Sequence, residues 1–267
     1  MLPQNRLENL SRFLGYGKIS VDQRITWIGV EPGGTFWDSS KSNAEKILIA
    51  DQRLELYSLR ADAGLLAKEY WHNEIGIQKS NLADHLGKHI SITERQQMHF
   101  SLRFDERFGS SKPITPLDLK TYYANSFCDG VDIQVNIYPL PKRSIDNDYE
   151  PDLKEYLGFP SKCSQTEIKS VLLTKERLRR IYDLIRVTRA RPGTLTILLG
   201  AELRDIIRRR LFPDEEFINE NYRNGYKRER IILRSKDSKV WCVPHPSGGG
   251  FTISIIDSIL HKIRKVI

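Results

Sequence analysis

Two short segments of the chain place a reactive side chain directly after an apolar run, and a third carries a polar one inside such a run. Glu31 stands in Gly29-Val30-Glu31-Pro32-Gly33, and His245 stands in Pro244-His245-Pro246-Ser247. Asn136 interrupts Val135-Asn136-Ile137-Tyr138-Pro139. A carboxylate can orient or deprotonate water and stabilise a growing cation. An imidazole can donate a hydrogen bond to an oxygen on which negative charge develops. A carboxamide offers donor and acceptor together, and in a buried strand it is costly unless both are used.

The elements that must hold these groups are legible from periodicity. Four β-branched, Gly- or Pro-bounded runs, 25–30, 131–138, 194–199 and 239–243, predict strands. Leu178, Ile181, Tyr182 and Ile185 recur at helical spacing after Thr174, a predicted N-cap, with Arg177 and Arg180 expected to face outward. Leu203, Ile206, Ile207 and Leu211 repeat the pattern, as do Ile255, Ile256, Ile259, Leu260 and Ile263. The stretch 42–70 also reads as helical, and 71–125 as short helices and loops. Strands separated by helices predict an α/β fold with a parallel sheet, whose ligands sit beyond the carboxyl ends of the strands. The three polar segments lie at or just after such ends. No internal repeat divides the chain, so a single domain spanning 1–267 with a helical insertion around 42–125 is expected.

Lys and Arg exceed Asp and Glu by 42 to 34, with the basic residues crowded into the second half. That distribution favours a polyanionic partner. Cys128, Cys163 and Cys242 are odd in number and far apart, which argues for reduced structural thiols and against a metal or iron–sulfur site. No apolar run is long enough to span a bilayer, and the first residues lack the layout of a secretory signal. A cytoplasmic protein without membrane contact follows as the expectation.

In order and strand context, Gly29-Val30-Glu31-Pro32-Gly33 and His245-Pro246-Ser247 resemble the two signature motifs of the uracil-DNA glycosylase superfamily. Val135-Asn136-Ile137-Tyr138-Pro139 is similar to that family's strand bearing a base-reading Asn, and Leu198-Leu199-Gly200-Ala201-Glu202-Leu203 to its third strand running into a helix. The resemblance covers about residue 25 to the C-terminus and implies a three-layer α/β/α sandwich around a central four-stranded parallel sheet. It implies a DNA partner, a monomer, and no cofactor or metal. Glu31 would handle the attacking water, and His245 would bond the anionic oxygen of the departing base. Gly29, Val30, Gly33 and Asn136 would line the base pocket, and Phe36 or Trp37, with Phe36 favoured, would stack on the base. Ser247, with Gly248 and Gly249, would contact a phosphate, as would Lys142 and Arg143, leaving simple hydrolysis as the default. Phe251 could fill the space of a flipped nucleotide, or begin the core of the last helix.

Uracil-specific members carry Tyr where this chain has Gly33, so the resemblance implies a pocket open to larger bases. Some bacterial relatives excise glucosylated hydroxymethylcytosine from phage DNA in antiviral defence, and a bulky modified pyrimidine is the expected substrate. Asp38, Ser39, Ser40 and Asn43 would contact an attached sugar or cap the following helix. A uracil or mismatched-thymine repair enzyme, a non-catalytic nucleic-acid-binding module and a hydrolase of free nucleosides are the competing readings.

Overall fold

The computed structural model describes residues 3–17, 19, 23–30, 42, 44–45, 47–48, 50–51, 54, 65–66, 92–105, 113–123, 132–140, 148–223, 229–246 and 251–265. The described elements are, in chain order, α1 (Pro3–Arg12), β1 (Gly15–Tyr16), β2 (Ile25–Gly29), β3 (Leu65–Leu66), α2 (Ile92–Phe104) and α3 (Pro116–Tyr122). There follow β4 (Ile133–Asn136), α4 (Pro151–Tyr156), α5 (Gln165–Leu172), α6 (Lys175–Arg189), β5 (Leu195–Leu199) and α7 (Leu203–Ile206). A π-helical turn (Ile207–Leu211), β6 (Phe217–Arg223), β7 (Glu229–Ser235), β8 (Val240–Val243) and α8 (Ile253–Ile263) complete the chain.

The fold is mixed α/β. All four expected strands form, but the sheet has eight strands in the order β3-β1-β4-β2-β5-β8-β7-β6 and is mixed, not a four-stranded parallel sheet. β2, β5 and β8 run parallel, whereas β7 is antiparallel to β8 and β6 to β7. The extra strands escape periodicity for physical reasons. β1 and β3 are two residues long, and β6 and β7 carry Asn219, Glu220 and Arg234 among their apolar residues. The predicted helix over 42–70 begins as expected, where Ser42 and Glu45 exchange capping hydrogen bonds, but Leu65–Leu66 is strand.

The chain divides into two compact units, each assembled from three stretches: Met1–Gly15, Gly29–Leu66 and Val135–Asp183 in the first, Tyr16–Ile28, Ala67–Gln134 and Leu184–Ile267 in the second.

The first unit is organised around a buried cation. Arg177 is 1% exposed, although its place on an exposed-looking, Arg-rich helix predicted an outward side chain. Its Nε donates to Ile137 O at 2.7 Å and its Nη2 to Asn136 O at 2.6 Å. Its Nη1 donates to Ser11 O at 3.0 Å and Phe13 O at 2.6 Å. A planar guanidinium with five N–H donors is the one side chain able to serve four such carbonyls together. Burial, and secondarily the charge of Arg180, lowers its pKa to about 9, which still leaves a cation at neutral pH. Thr174 caps the helix as predicted, its Oγ1 accepting from Arg177 N at 3.0 Å. Arg180 donates to Arg12 O at 2.7 Å. Arg6 pairs with Asp51 at 3.0 Å and lies 3.9 Å over the Tyr156 ring, whose hydroxyl donates to Asp51 at 2.6 Å.

The second unit is built on the parallel strands. Register aligns Trp27, Ile197 and Trp241 across β2, β5 and β8, and the residues two places along share their face. Ile25, Trp27, Leu195, Ile197, Leu199, Trp241 and Val243 pack there with Phe100 of α2 and Ile255, Ile256, Ile259, Leu260 and Ile263 of α8. The opposite-facing Thr26, Ile28, Thr196, Leu198 and Cys242 are buried too, as parallel strands require. Phe100 meets Trp27 edge-on at 5.5 Å and Phe251 stacked at 6.1 Å. Gly17, at φ +124°, lies so close to the chain at Ile133 that a Cβ would sit 3.0 Å from Ile133 Cα.

Truncation tests both cores. Replacing Arg177 by Met leaves four buried carbonyls without their donors and should cost about 3 kcal/mol or more; Arg177→Lys, with one ammonium in place of the fork, should recover only part of it. Phe251→Ala should cost about 3–5 kcal/mol as a core truncation. Urea-unfolding free energies within about 0.5 kcal/mol of the parent for either truncation would contradict the burial described.

Candidate functional site

The described site residues are placed by how their strands end. In the first unit, the chain leaving β2 runs beside the chain leaving β4. Ile137 N donates to Gly29 O at 2.9 Å and Tyr138 N to Val30 O at 2.8 Å. Asn136 N donates to Leu14 O at 3.0 Å, which fixes the last residue of β4 against the end of α1. Gly29, Val30 and Asn136, three of the expected base-pocket residues, are thereby brought side by side. Val30 is buried and Asn136 half-buried, so the carboxamide sits at the margin of the packed interior rather than within it. Arg177 grips the carbonyls of Asn136 and Ile137, and so holds the backbone that presents this carboxamide. Sequence reasoning placed Arg177 on the solvent side. Its one legible signal was its position, one residue from Leu178 and four from Ile181, on the border of the apolar stripe.

Glu31, Gly33, Phe36, Trp37, Lys142, Arg143, Ser247, Gly248 and Gly249, together with Asp38, Ser39, Ser40 and Asn43, lie outside the described residues.

In the second unit, Pro244 and Pro246 end β8 because neither can donate to a ladder. His245 between them is half-buried, and burial lowers its pKa, which keeps the imidazole neutral at pH 7. A neutral imidazole is a single N–H donor with an acceptor on the other nitrogen. Gly200, at φ +135°, closes β5, its N donating to Val243 O at 2.9 Å. The Cys242 thiol donates to Gly200 O at 3.4 Å, and burial pushes its pKa up to about 12, so it is a packing residue and not a nucleophile. Phe251 is 1% exposed and belongs to the aromatic cluster with Phe100. That places it with the core of the last helix and corrects the alternative that it fills the space of a flipped nucleotide.

One buried polar centre went unread in the sequence. Asp132, fully buried, accepts from Ser101 Oγ at 2.6 Å, Tyr122 hydroxyl at 2.9 Å and Trp27 Nε1 at 3.3 Å through one carboxylate oxygen. Burial, reinforced by the Asp132 charge, holds the Tyr122 phenol well above its usual range, so it stays a donor. The signal was an acid within the apolar run Val131-Asp132-Ile133, where an unpartnered carboxylate is prohibitive. Asp132 ties β2, α2 and α3 to the entrance of β4 and so sets where that strand begins.

Among the described residues no group of three His, Cys, Asp or Glu side chains is arranged to hold a metal, and no helix is long and apolar enough to cross a membrane. No family model, curated protein or solved structure matches the chain.

Two half-buried histidines among the described residues make acid stability predictable. Burial lowers the pKa of His245, and burial with the charges of Arg103 and Arg95 lowers that of His99. The unfolded chain therefore takes up these protons first, near the ordinary value of about 6.5. Stability should fall as pH drops through that value, and flatten once the folded pKa values are passed. The urea midpoint of a His99→Gln, His245→Gln variant should decline less between pH 7.5 and 5.5 than that of the parent. An equal decline would count against the burial of both rings.

Proposed function

We propose that the protein is a DNA glycosylase that hydrolyses the N-glycosidic bond of a flipped, bulky modified pyrimidine and leaves an abasic site. The observation that carries the reading is the order of Gly29-Val30-Glu31-Pro32-Gly33 and His245-Pro246-Ser247 at the exits of β2 and β8. Those strands run in the same direction through β5, with Ile28, Leu198 and Cys242 level across the three. Parallel strands that end level suit a ligand beyond their carboxyl ends. The reading carries with it a three-layer α/β/α arrangement about these strands, DNA as partner and a monomeric enzyme.

Bond cleavage builds oxocarbenium character on the sugar and negative charge on the departing base. Glu31 would orient the attacking water and stabilise the cation. His245, neutral at pH 7 by burial, would give its N–H to the oxygen of the base as charge develops there, a bond made mainly in the transition state. Asn136, its backbone held by Arg177, would read the edge of the base with both groups of its carboxamide. Gly33, where a Tyr would wall off bases substituted at C5, would leave the pocket open. Glucosylated hydroxymethylcytosine, with phage defence as the setting, is the substrate favoured by that opening.

The purified protein offered duplexes containing uracil, mismatched thymine or glucosylated hydroxymethylcytosine should release the largest base fastest. Efficient action on uracil alone would overturn the large-base reading. Glu31→Gln should lower base release by at least about 10²-fold while leaving duplex affinity within about twofold. A parent protein that binds DNA and releases none of these bases would be a binding module instead.

A further inference from the structure

We propose that the exposed row Arg208-Arg209-Arg210, turned outward by the π-helical turn, docks the phosphodiester backbone of duplex DNA. The choice of DNA as polyanion rests on the glycosylase reading; the surface itself rests on the geometry of this turn. Leu203, Ile207 and Leu211 are buried at successive intervals of four residues. In a regular α-helix a residue seven places on returns to the same face, so Arg210 would lie with Leu203 against the core. The chain avoids that by widening. Phe212 N donates to Ile207 O at 2.8 Å, a bond spanning five residues, and the wider turn brings Leu211 to the core in place of Arg210. Arg208, Arg209 and Arg210 are consequently all exposed. Such widened turns cost regular hydrogen bonding and recur at functional sites.

Among the described residues, the charge on this row is hardly compensated. From Leu203 to Leu211 four arginines face one acid, Asp205. Asp205 lies 3.9 Å from Arg209 with both side chains about 80% exposed, a pair of little strength in water. Arg208 Nη2 donates to Asn219 Oδ1 at 2.7 Å, which orients the guanidinium without neutralising it. Among the described residues, neither Arg208 nor Arg210 pairs with a carboxylate. Other arginines of this unit are engaged: Arg189 is held by Glu215 and Asp237, Arg103 by Asp257 and Arg234 by Glu220. Three adjacent guanidiniums repel one another and present flat, forked donors. A regular array of phosphates relieves the repulsion and accepts the donors, and its counterions are released on binding.

The test is fluorescence anisotropy of a labelled duplex of arbitrary sequence, titrated with protein across a series of KCl concentrations. Arg208→Gln, Arg209→Gln, Arg210→Gln together should weaken binding by at least about tenfold at moderate salt. They should also flatten the slope of log K against log salt by about 2–3, roughly 0.9 for each phosphate no longer neutralised. If the triple variant fails to fold, the pair Arg209→Gln, Arg210→Gln spares the Asn219 bond and should flatten the slope by about 2. An unchanged slope in a folded variant overturns the proposal. So does failure of the parent to bind duplex, or loss of binding to phosphatidylserine vesicles with duplex binding intact. The two readings fail separately. Base release with an unchanged slope sinks this surface alone, whereas a flattened slope in a protein that releases no base sinks the glycosylase alone.

Discussion

A single buried guanidinium organises the half of the molecule that holds the expected base-reading residue. Arg177 donates to four main-chain carbonyls, two where α1 ends and two where β4 ends, and has no carboxylate among these partners. Among the described residues its desolvation is offset by these carbonyl dipoles, which must all point inward together. The constraint is reciprocal: α1, β4 and α6 hold the charge, and the charge holds their ends in one geometry. Because Asn136 and Ile137 supply two of the carbonyls, the placement of the Asn136 carboxamide depends on a residue 41 positions further along the chain.

The other half depends on a different device, a face of apolar side chains in register. Trp27, Ile197 and Trp241 line up across β2, β5 and β8, and α2 and α8 close over them through Phe100 and the isoleucines 255, 256, 259 and 263. A buried carboxylate, Asp132, joins that core to the start of β4 through Ser101, Tyr122 and Trp27. A buried guanidinium thus holds one end of β4, and a buried carboxylate that accepts from Ser101, Tyr122 and Trp27 holds the other.

The basic excess of the chain separates into two kinds once burial is known. Arg177, Lys154 and Arg6 are structural, engaged by carbonyls, an aspartate or an aromatic ring. Arg208, Arg209 and Arg210 remain exposed. Net charge alone does not separate these two kinds.

Local pattern was sufficient for much of this. β-branched runs bounded by Gly and Pro identified β2, β4, β5 and β8, and helical spacing identified α6 and α8, down to the Thr174 cap. The motifs at Glu31 and His245, and the reading of Gly33 as an open pocket, likewise come from residue type and order alone. Tertiary structure decided the rest, because those outcomes turn on which distant groups meet. Arg177 became a keystone since carbonyls from 11, 13, 136 and 137 converge on it, and no periodicity encodes that convergence. Phe251 went to the core because Phe100 was there to receive it. The sheet became mixed because a polar hairpin paired with β8, a match made by backbone hydrogen bonds that side-chain pattern does not report. Arg210 faces solvent because the turn carrying it widened to keep Leu211 buried, a choice between two helical geometries that only the packed core could settle.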